Sequence, residues 1–430
     1  MKWFYTVLLF LFINSIIAQE LYFPPADSEN WETLDPEELG WCPEKVDSLI
    51  EFVGTKNSKA FIVLVDGKIA IEAYYNGHDA ESLWYWASAG KSLMAMLMGL
   101  AQEDGLLDIE NPTSEYLGQG WTSCSPQEEL TIKIRHQLSM ASGLDDSLEA
   151  PGSTENCFNP ECFECIAAPT TRWAYHNSAY RILQDVLETT SGQDKTIFTR
   201  TRLGNRIGMK GFWLNYIYYS NARDMARFGL LTLAQGNWAG DAVLSDMDYY
   251  NDMIRSSQDI NPSYGYLWWL NGQPSYMLPA LQISFDGSLI ANAPSDMFAA
   301  LGKNDQKIYV VPSQNMVVVR QGDAAGPIVS AASSFDNQLW ERISDLQCLT
   351  ATEEPKVSEF ELFPNPARNK IRIISSQPYE QVLLYDRYGQ LLRQWPNQEV
   401  IQVDDLAPGL YLVQLRGKDF ILTKRLIIQP

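Results

Sequence analysis

A serine and a lysine three residues apart, Ser88 and Lys91, open the most apolar helical segment of the chain, WASAGKSLMAML. Residues at this spacing share one face of a helix, so the lysine amine is expected one turn above the serine hydroxyl. A serine hydroxyl is a weak nucleophile until a base removes its proton, and burial favours the uncharged amine that can do so. The pair predicts nucleophilic catalysis by Ser88 with Lys91 as its base. The alternative is an ordinary serine that caps a helix.

A phenol and an amide two residues apart, Tyr175 and Asn177, follow the serine by roughly ninety residues. The phenol can relay a proton, and the amide can hold the lysine or a substrate carbonyl by hydrogen bonds. A buried tyrosine with a satisfied hydroxyl is the alternative. The chain has no G-x-S-x-G, P-loop or H-E-x-x-H motif, and its three histidines supply a Ser-His-Asp triad poorly.

The elements that must position these residues are strands near both ends of a main domain, with helices between them. Two apolar runs around Asp66-Gly67 predict a hairpin of Ala60–Val65 and Lys68–Tyr75. Later strands are predicted over Lys307–Pro312 and Met316–Arg320. Helical spacing of apolar residues predicts helices over Glu44–Val53, Ala89–Glu103, Asn177–Thr190, Ala222–Ala234 and Ser333–Leu346. This order indicates an α/β domain whose antiparallel sheet is built from both ends.

The order of these motifs resembles the penicillin-binding-protein and serine β-lactamase superfamily, in its class C-like branch, over about Trp41 to Leu346. Supporting segments are LLDIENPTSEYL, LTIKIRHQLSMASGL, YSNARDMARFGLLTLAQGNW, YGYLWWLNG and IYVVPSQNMVVVRQGD. The resemblance implies an antiparallel sheet flanked by helices, an all-helical subdomain, and an acyl-enzyme on Ser88. It also implies that Lys91 is the base, that Tyr175 shares proton transfer and that Asn177 orients groups in the site. No cofactor or metal ion is expected.

The third motif of that superfamily, usually Lys-Thr-Gly or His-x-Gly on a sheet-edge strand, is where this sequence departs from it. The expected position is Met297–Ala300, which contains no Lys, Thr or Gly. The backbone N–H near Ala300 is still expected to serve the oxyanion beside that of Ser88. Lys303 is either a replacement for the missing cation or a solvated loop lysine. Trp269 either walls an apolar substrate pocket, together with the aromatic run Trp213–Tyr219, or packs in the core.

Because the carboxylate-binding lysine of the superfamily is missing, efficient hydrolysis of penicillin is not expected. A small-molecule or peptide-like ester or amide is the expected substrate, as for an esterase, a D-amino-peptidase or an amidase. The alternative is a catalytically silent protein that binds peptidoglycan fragments or a surface partner.

The composition changes beyond the main domain, which is expected to span residues 19–349. Residues 350–358 are polar and predict a linker, and residues 359–430 predict a small β-sandwich. Its predicted strands are the short alternating segments Lys370–Ile374, Gln381–Tyr385, Val400–Val403, Gly409–Leu415 and Leu422–Ile428. The order FPNP, VLLYDRYGQLL, LAPGLY and a basic ending resembles the type IX secretion sorting domain of Bacteroidota. The resemblance implies a partner, the type IX secretion machinery, and export through the periplasm and outer membrane. A carbohydrate-binding or structural β-module is the alternative.

The N-terminus, MKWFYTVLLFLFINSIIAQE, predicts a signal peptide over residues 1–18, with a membrane anchor as the alternative. No other apolar stretch is as long, so no transmembrane segment is expected in the mature protein, which we expect to be secreted or attached to the cell surface. A net charge of −21 argues against nucleic acid as a partner. The six cysteines predict three disulfides among fifteen connectivities. A zinc site around Cys162 and Cys165 is the less favoured reading.

Overall fold

The computed structural model describes residues 21–146, 157–327, 331–348, 360–375, 378–386, 390–418 and 421–429. The chain divides into two compact units, the first ending at Gln347 and the second beginning at Cys348. The predicted signal peptide, 1–18, and the predicted linker, 350–358, lie outside the described residues.

The helices of the first unit lie mainly between the strands that begin and end it. They are α1 (Pro43–Gly54), α2 (Gly90–Glu103), α3 (Thr113–Leu117), α4 (Pro126–Glu129), α5 (Ile134–Leu138), α6 (Asn177–Ser191), α7 (Lys195–Thr199), α8 (Asn205–Ile207), α9 (Ala222–Leu233), α10 (Met247–Met253) and α11 (Ser334–Ser344). A π-helical turn, Arg200–Gly204, joins α7 to α8. Short 3₁₀ turns occupy Pro36–Leu39, Ala87–Ala89, Pro160–Cys162, Lys303–Asp305 and Pro312–Gln314.

The strands of the first unit form one main sheet and several short pairs. They are β1 (Ser58–Val65), β2 (Lys68–Tyr74), β3 (Trp84–Tyr85), β4 (Gly211–Leu214), β5 (Ile217–Ser220), β6 (Asn237–Trp238), β7 (Asp241–Ala242), β8 (Trp269–Leu270), β9 (Ser275–Met277), β10 (Ser284–Asp286), β11 (Phe298–Gly302), β12 (Gln306–Val311) and β13 (Met316–Gly322).

The main sheet has the strand order β2-β1-β13-β12-β11-β8, and all of its neighbouring strands are antiparallel. Strands from both ends of the unit therefore meet in one sheet, which confirms the α/β prediction. β12 and β13 are buried along their whole length, as are strands covered on both faces. Helix α9 packs on β1, β12 and β13, while α1 packs on β1 and α11.

The first hairpin depends on its two turn residues. Asp66 and Gly67 both have positive φ, 52° and 82°, as the tight turn between two strands requires. A side-chain carbon at position 67 would also lie 1.9 Å from the carbonyl oxygen of Tyr22, so only glycine fits there. The predicted strands and turn agree with the structure to within two residues.

Helix α2 lies at the centre of the first unit. Every residue from Gly90 to Ala101 is buried, because α6, α10 and β11 all pack against this helix. A helix that is apolar on all sides is stable only when it is enclosed in this way. Its N-terminal end is therefore held by the core while the turn before it, Ala87–Ala89, reaches the surface of a cavity.

The second unit consists of two antiparallel sheets, β14-β15-β18 and β17-β16-β19-β20 in strand order. The strands are β14 (Phe360–Phe363), β15 (Lys370–Ser375), β16 (Gln381–Tyr385), β17 (Leu391–Pro396), β18 (Val400–Gln402), β19 (Gly409–Arg416) and β20 (Ile421–Ile428). Residues of both sheets share one apolar core that includes Ile371, Ile401, Val382 and Val413. This arrangement agrees with the predicted β-sandwich. The sequence patterns did not predict β14 or β17.

Two disulfides lie in the irregular middle of the first unit, Cys124–Cys165 and Cys157–Cys162. Cys42 and Cys348 are also disulfide-bonded, and no described cysteine is free. Cys162 and Cys165 therefore carry no thiolate for the alternative zinc site. Within the described ranges, none of the helices has the length and apolar character needed to span a bilayer.

Candidate active site

Ser88 lies in the middle of the 3₁₀ turn Ala87–Ala89, directly before α2. The turn is anchored by Trp86, whose side chain is fully buried and whose indole N–H donates to Ser220 Oγ at 2.8 Å. Ala87 has a φ of +48°, a conformation that costs a residue with a side chain about 1–3 kcal/mol. The serine is therefore presented on a strained turn between a buried anchor and the central helix.

Lys91 connects the serine to the second motif. Its Nζ lies 2.9 Å from Ser88 Oγ and 2.9 Å from Asn177 Oδ1, and the lysine is 4% exposed. The first distance follows from the helical spacing of the two residues. The second requires tertiary packing, because Asn177 is the first residue of α6, which lies against α2.

Two tyrosine rings enclose the lysine amine. Lys91 Nζ lies 4.9 Å from the ring centroid of Tyr175 and 4.6 Å from that of Tyr180, distances typical of cation–π contacts. Tyr175 in turn stacks on Trp269, with ring centroids 6.0 Å apart. The structure thus gathers Ser88, Lys91 and Asn177 by hydrogen bonds, with Tyr175 beside the amine.

The serine and lysine open into a cavity of about 230 Å³. The described residues that line it come from several parts of the first unit and are Tyr85, Ala87, Ser88, Lys91, Asn177, Tyr180, Arg181, Tyr216, Ile217, Lys303 and Asn304. Sequence reasoning missed Tyr85, Tyr180 and Arg181. The signal for the last two was their helical spacing from Asn177, because residues three and four apart on α6 share its face.

The loop Lys303–Asp305 forms one side of this cavity, and hydrogen bonds from side chains outside the cavity fix its backbone. The Gln306 amide donates to the carbonyl of Asn304 at 3.1 Å, and the buried guanidinium of Arg320 donates to the carbonyls of Asn304 and Asp305 at 2.8 and 3.0 Å. The N–H and C=O of a trans peptide point in opposite directions. The peptide N–H of Asp305 consequently points away from Arg320.

Gly302, the last residue of β11, lies against the serine turn. A side-chain carbon at position 302 would lie 3.0 Å from the backbone nitrogen of Ala89. Ala300 is two residues further back in the strand, fully buried and paired with Ile308. The end of β11 and the loop after it therefore approach the serine more closely than the predicted position around Ala300 suggests.

The remaining predicted residues lie in different environments. Lys303 lines the cavity and its side chain is exposed, whereas Trp269 is 2% exposed and packs behind Tyr175. Trp213 and Trp268 are also buried in the core. The structure therefore places Trp269 in the core, not on the cavity wall, because Trp173 and Tyr264 surround its ring.

His176, between the tyrosine and the asparagine, is fully buried and caps α6. Its Nδ1 accepts the backbone N–H of Ala179 at 3.0 Å, and burial lowers the pKa of the imidazole to about 4. The ring is therefore neutral at ordinary pH and holds the start of the helix that carries Asn177.

Two family models match the chain. The model described as Beta-lactamase covers residues 51–337, and the model described as Secretion system C-terminal sorting domain covers residues 361–429. No curated protein matches the sequence.

Solved structures share the fold at low sequence identity. A Bacteroides dorei protein described as a β-lactamase aligns with a TM-score of 0.56 and 16% identity, over 71% of this chain and 99% of that chain. A Bacillus anthracis protein described as a 6-aminohexanoate-dimer hydrolase aligns with a TM-score of 0.52 and 18% identity, over 68% and 79%. A family VIII carboxylesterase aligns with a TM-score of 0.51 and 12% identity, over 70% and 97%.

Proposed function

Because the chain belongs to the β-lactamase family of serine hydrolases, we propose that it hydrolyses an ester or amide through an acyl-enzyme on Ser88. The resemblance predicted from the motifs is confirmed for both parts of the chain. The sorting domain indicates export, ending in secretion or in attachment to the cell surface.

The hydrogen bond between Lys91 and Ser88 is the observation that carries the proposal. At 2.9 Å between Nζ and Oγ, the neutral amine can take the hydroxyl proton as Oγ attacks a carbonyl carbon. Asn177 holds the amine in line through its Oδ1. Collapse of the tetrahedral intermediate then passes this proton to the leaving group, with Tyr175 sharing the transfer, and water hydrolyses the acyl-enzyme by the reverse sequence.

The oxyanion of the intermediate requires hydrogen-bond donors beside Ser88. We assign one to the backbone N–H of Ser88 itself. The second donor is a backbone N–H at the end of β11 or in the loop Lys303–Asp305, since Gly302 lies against the serine turn while Ala300 is paired inside the sheet. Arg320 and Gln306 keep that loop rigid, which a preorganised donor needs.

An ester or amide is the substrate class that agrees with the family and with the site. One structural relative is described as a carboxylesterase and another as a hydrolase of a 6-aminohexanoate dimer. A cavity of about 230 Å³ beside Ser88 can hold a short acyl or leaving group. The lysine of the superfamily's third motif has no counterpart in the strand segment Met297–Ala300, so slow or absent turnover of nitrocefin is expected.

The test combines covalent labelling with a substrate panel. A fluorophosphonate probe should label the intact protein at Ser88, and p-nitrophenyl esters and D-aminoacyl amides should be turned over. Ser88→Ala should abolish both signals, while Ser82→Ala, which removes a half-buried hydroxyl that donates to Asp79, should change neither. Labelling that survives in Ser88→Ala contradicts the proposal. Binding of peptidoglycan fragments with no labelling and no turnover would favour the silent binder.

A further inference from the structure

We propose that the substrate of this site carries a carboxylate that binds Arg181, on the helical wall of the cavity next to Ser88. The inference rests on the proposed function, because it names the class of ester or amide that the same site accepts. It is carried by the charges around the cavity and by the surroundings of Arg181.

The cavity is basic in a strongly acidic chain. The protein has 53 Asp and Glu residues against 32 Lys and Arg, yet the described residues that line the cavity include the cations Arg181 and Lys303, beside the proposed base Lys91, and no Asp or Glu. Charges of one sign in a concave site attract ligands of the opposite sign. The cavity therefore favours an anionic ligand although the whole protein repels one.

Arg181 is 8% exposed. Among the described residues, its positively charged guanidinium interacts with aromatic rings only. Its guanidinium carbon lies 5.4 Å from the ring centroid of Phe158 and 5.2 Å from that of Tyr216. These two rings stack on each other, with centroids 4.8 Å apart. Cation–π contacts orient a guanidinium without neutralising it, so its N–H donors stay available.

Asp185 is the carboxylate one turn further along α6, and within the described part of the chain it forms no ion pair with Arg181. Burial raises the pKa of Asp185 to about 6, and the charged neighbours that act on it are Glu188 and Lys195. Lys195 is itself paired with Glu188 at 3.1 Å. A buried arginine without an anionic partner carries an unfavourable free energy, which a ligand carboxylate would remove.

The position of Arg181 suits a carboxylate near the scissile bond. It follows Asn177 by four residues on α6, so it lies on the same face of the helix, about 6 Å along the cavity wall. Asn177 contacts the Lys91 amine that contacts Ser88. A carboxylate about four to five bonds from the reacting carbonyl carbon can therefore reach the guanidinium, and the planar fork of arginine matches its two oxygens. The exposed Lys303 adds a second positive charge across the cavity.

Matched esters test this inference. p-Nitrophenyl hydrogen glutarate and p-nitrophenyl pentanoate share a leaving group and a chain length, and only the first carries a carboxylate. The ratio of their kcat/KM values therefore cancels any effect of a substitution on the chemical step. A second pair, 3-carboxy-4-nitrophenyl acetate and 4-nitrophenyl acetate, places the charge on the leaving group. At least one ratio should exceed about 10 in the wild type and fall about tenfold or more in Arg181→Gln, since the variant loses a hydrogen bond between two charged groups. Arg181→Lys should give an intermediate ratio, and the exposed Arg255→Gln should leave it unchanged.

A binding measurement separates failure of this inference from failure of the proposed function. Glutarate titrated into Ser88→Ala should bind, and its affinity should fall at least tenfold in Ser88→Ala/Arg181→Gln, with folding checked by thermal unfolding. Ser88-dependent turnover with charge ratios near 1 in both ester pairs overturns the inference and leaves the hydrolase intact. Glutarate binding through Arg181 without any turnover supports the inference and overturns the hydrolase. Tighter binding of inorganic phosphate than of glutarate overturns the assignment to a carboxylate.

Discussion

A side-chain carbon on Gly302 would lie 2.5 Å from the carbonyl oxygen of Trp86. The end of β11 thus touches the residue that anchors the serine turn, and the position of the turn depends on the absence of a side chain in the neighbouring strand. Under the proposed function, this contact should affect catalysis by Ser88.

We expect Gly302→Ala to lower kcat/KM for a p-nitrophenyl ester by about 100-fold, because the turn must shift and misplacement by about 1 Å costs that much. The fold should survive with a loss of about 1–3 kcal/mol, as is usual for overpacking. Ester kinetics and urea denaturation measure the two effects. Gly326→Ala is the control, since nothing lies within 4 Å of its added carbon. Unchanged kinetics in Gly302→Ala would show that the contact does not position Ser88.

Replacement of Asn177 tests whether its hydrogen bond positions the Lys91 amine. Asn177→Ala removes the acceptor 2.9 Å from Lys91 Nζ and should lower kcat by about 10–100-fold. Asn177→Asp puts a carboxylate there, which favours the protonated amine, so the activity should appear only at higher pH. The pH profile of kcat/KM measures this shift. The exposed Asn292→Asp makes the same chemical change elsewhere and should not move the profile. A profile of Asn177→Asp that matches the wild type would exclude Lys91 as the base.

Asp224 should make stability depend on pH. Its carboxyl is 3% exposed, and burial raises its pKa from 3.8 to about 7. The folded protein therefore keeps a proton that the unfolded chain loses, so the stabilisation is complete below about pH 4 and is lost as pH rises through about 7. The loss is at most about 4 kcal/mol at about 1.4 kcal/mol per pKa unit.

Asp224→Asn keeps the oxygen that accepts the Lys210 N–H at 3.0 Å and cannot ionise. Urea denaturation at pH 5 and pH 8 should therefore show a smaller drop in the free energy of unfolding for this variant than for the wild type. Asp345→Asn, at an exposed carboxylate, should behave as the wild type. Equal pH dependence in Asp224→Asn and the wild type would mean that another group is responsible.

The two disulfides of the irregular middle should differ in their contribution to stability. Cys124–Cys165 spans 41 residues and Cys157–Cys162 spans 5. Loop-closure entropy predicts a loss of about 4 kcal/mol for Cys124→Ser/Cys165→Ser and about 2 kcal/mol for Cys157→Ser/Cys162→Ser. Thermal unfolding of the two double variants measures the difference. A larger loss for the shorter loop would contradict a chain-entropy origin.

Local sequence patterns were sufficient to predict most of the main helices and strands. The hairpin at Asp66-Gly67 and the helices α1, α2, α6 and α9 were predicted with ends within two residues of those observed. Strand β17 escaped prediction because most of its side chains are exposed and its apolar residues do not alternate. Periodicity reports burial on one face, so it misses an edge strand that has little buried surface.

The amino-acid sequence by itself determined the pairing of Ser88 with Lys91, because residues three apart lie on the same face of a helix once that helix has formed. Only the tertiary structure decided that Trp269 packs in the core and that Arg181 faces the cavity. Both depend on which face of an element meets a neighbour distant in sequence. That choice is made by the packing of the whole domain, which spacing along the chain does not encode.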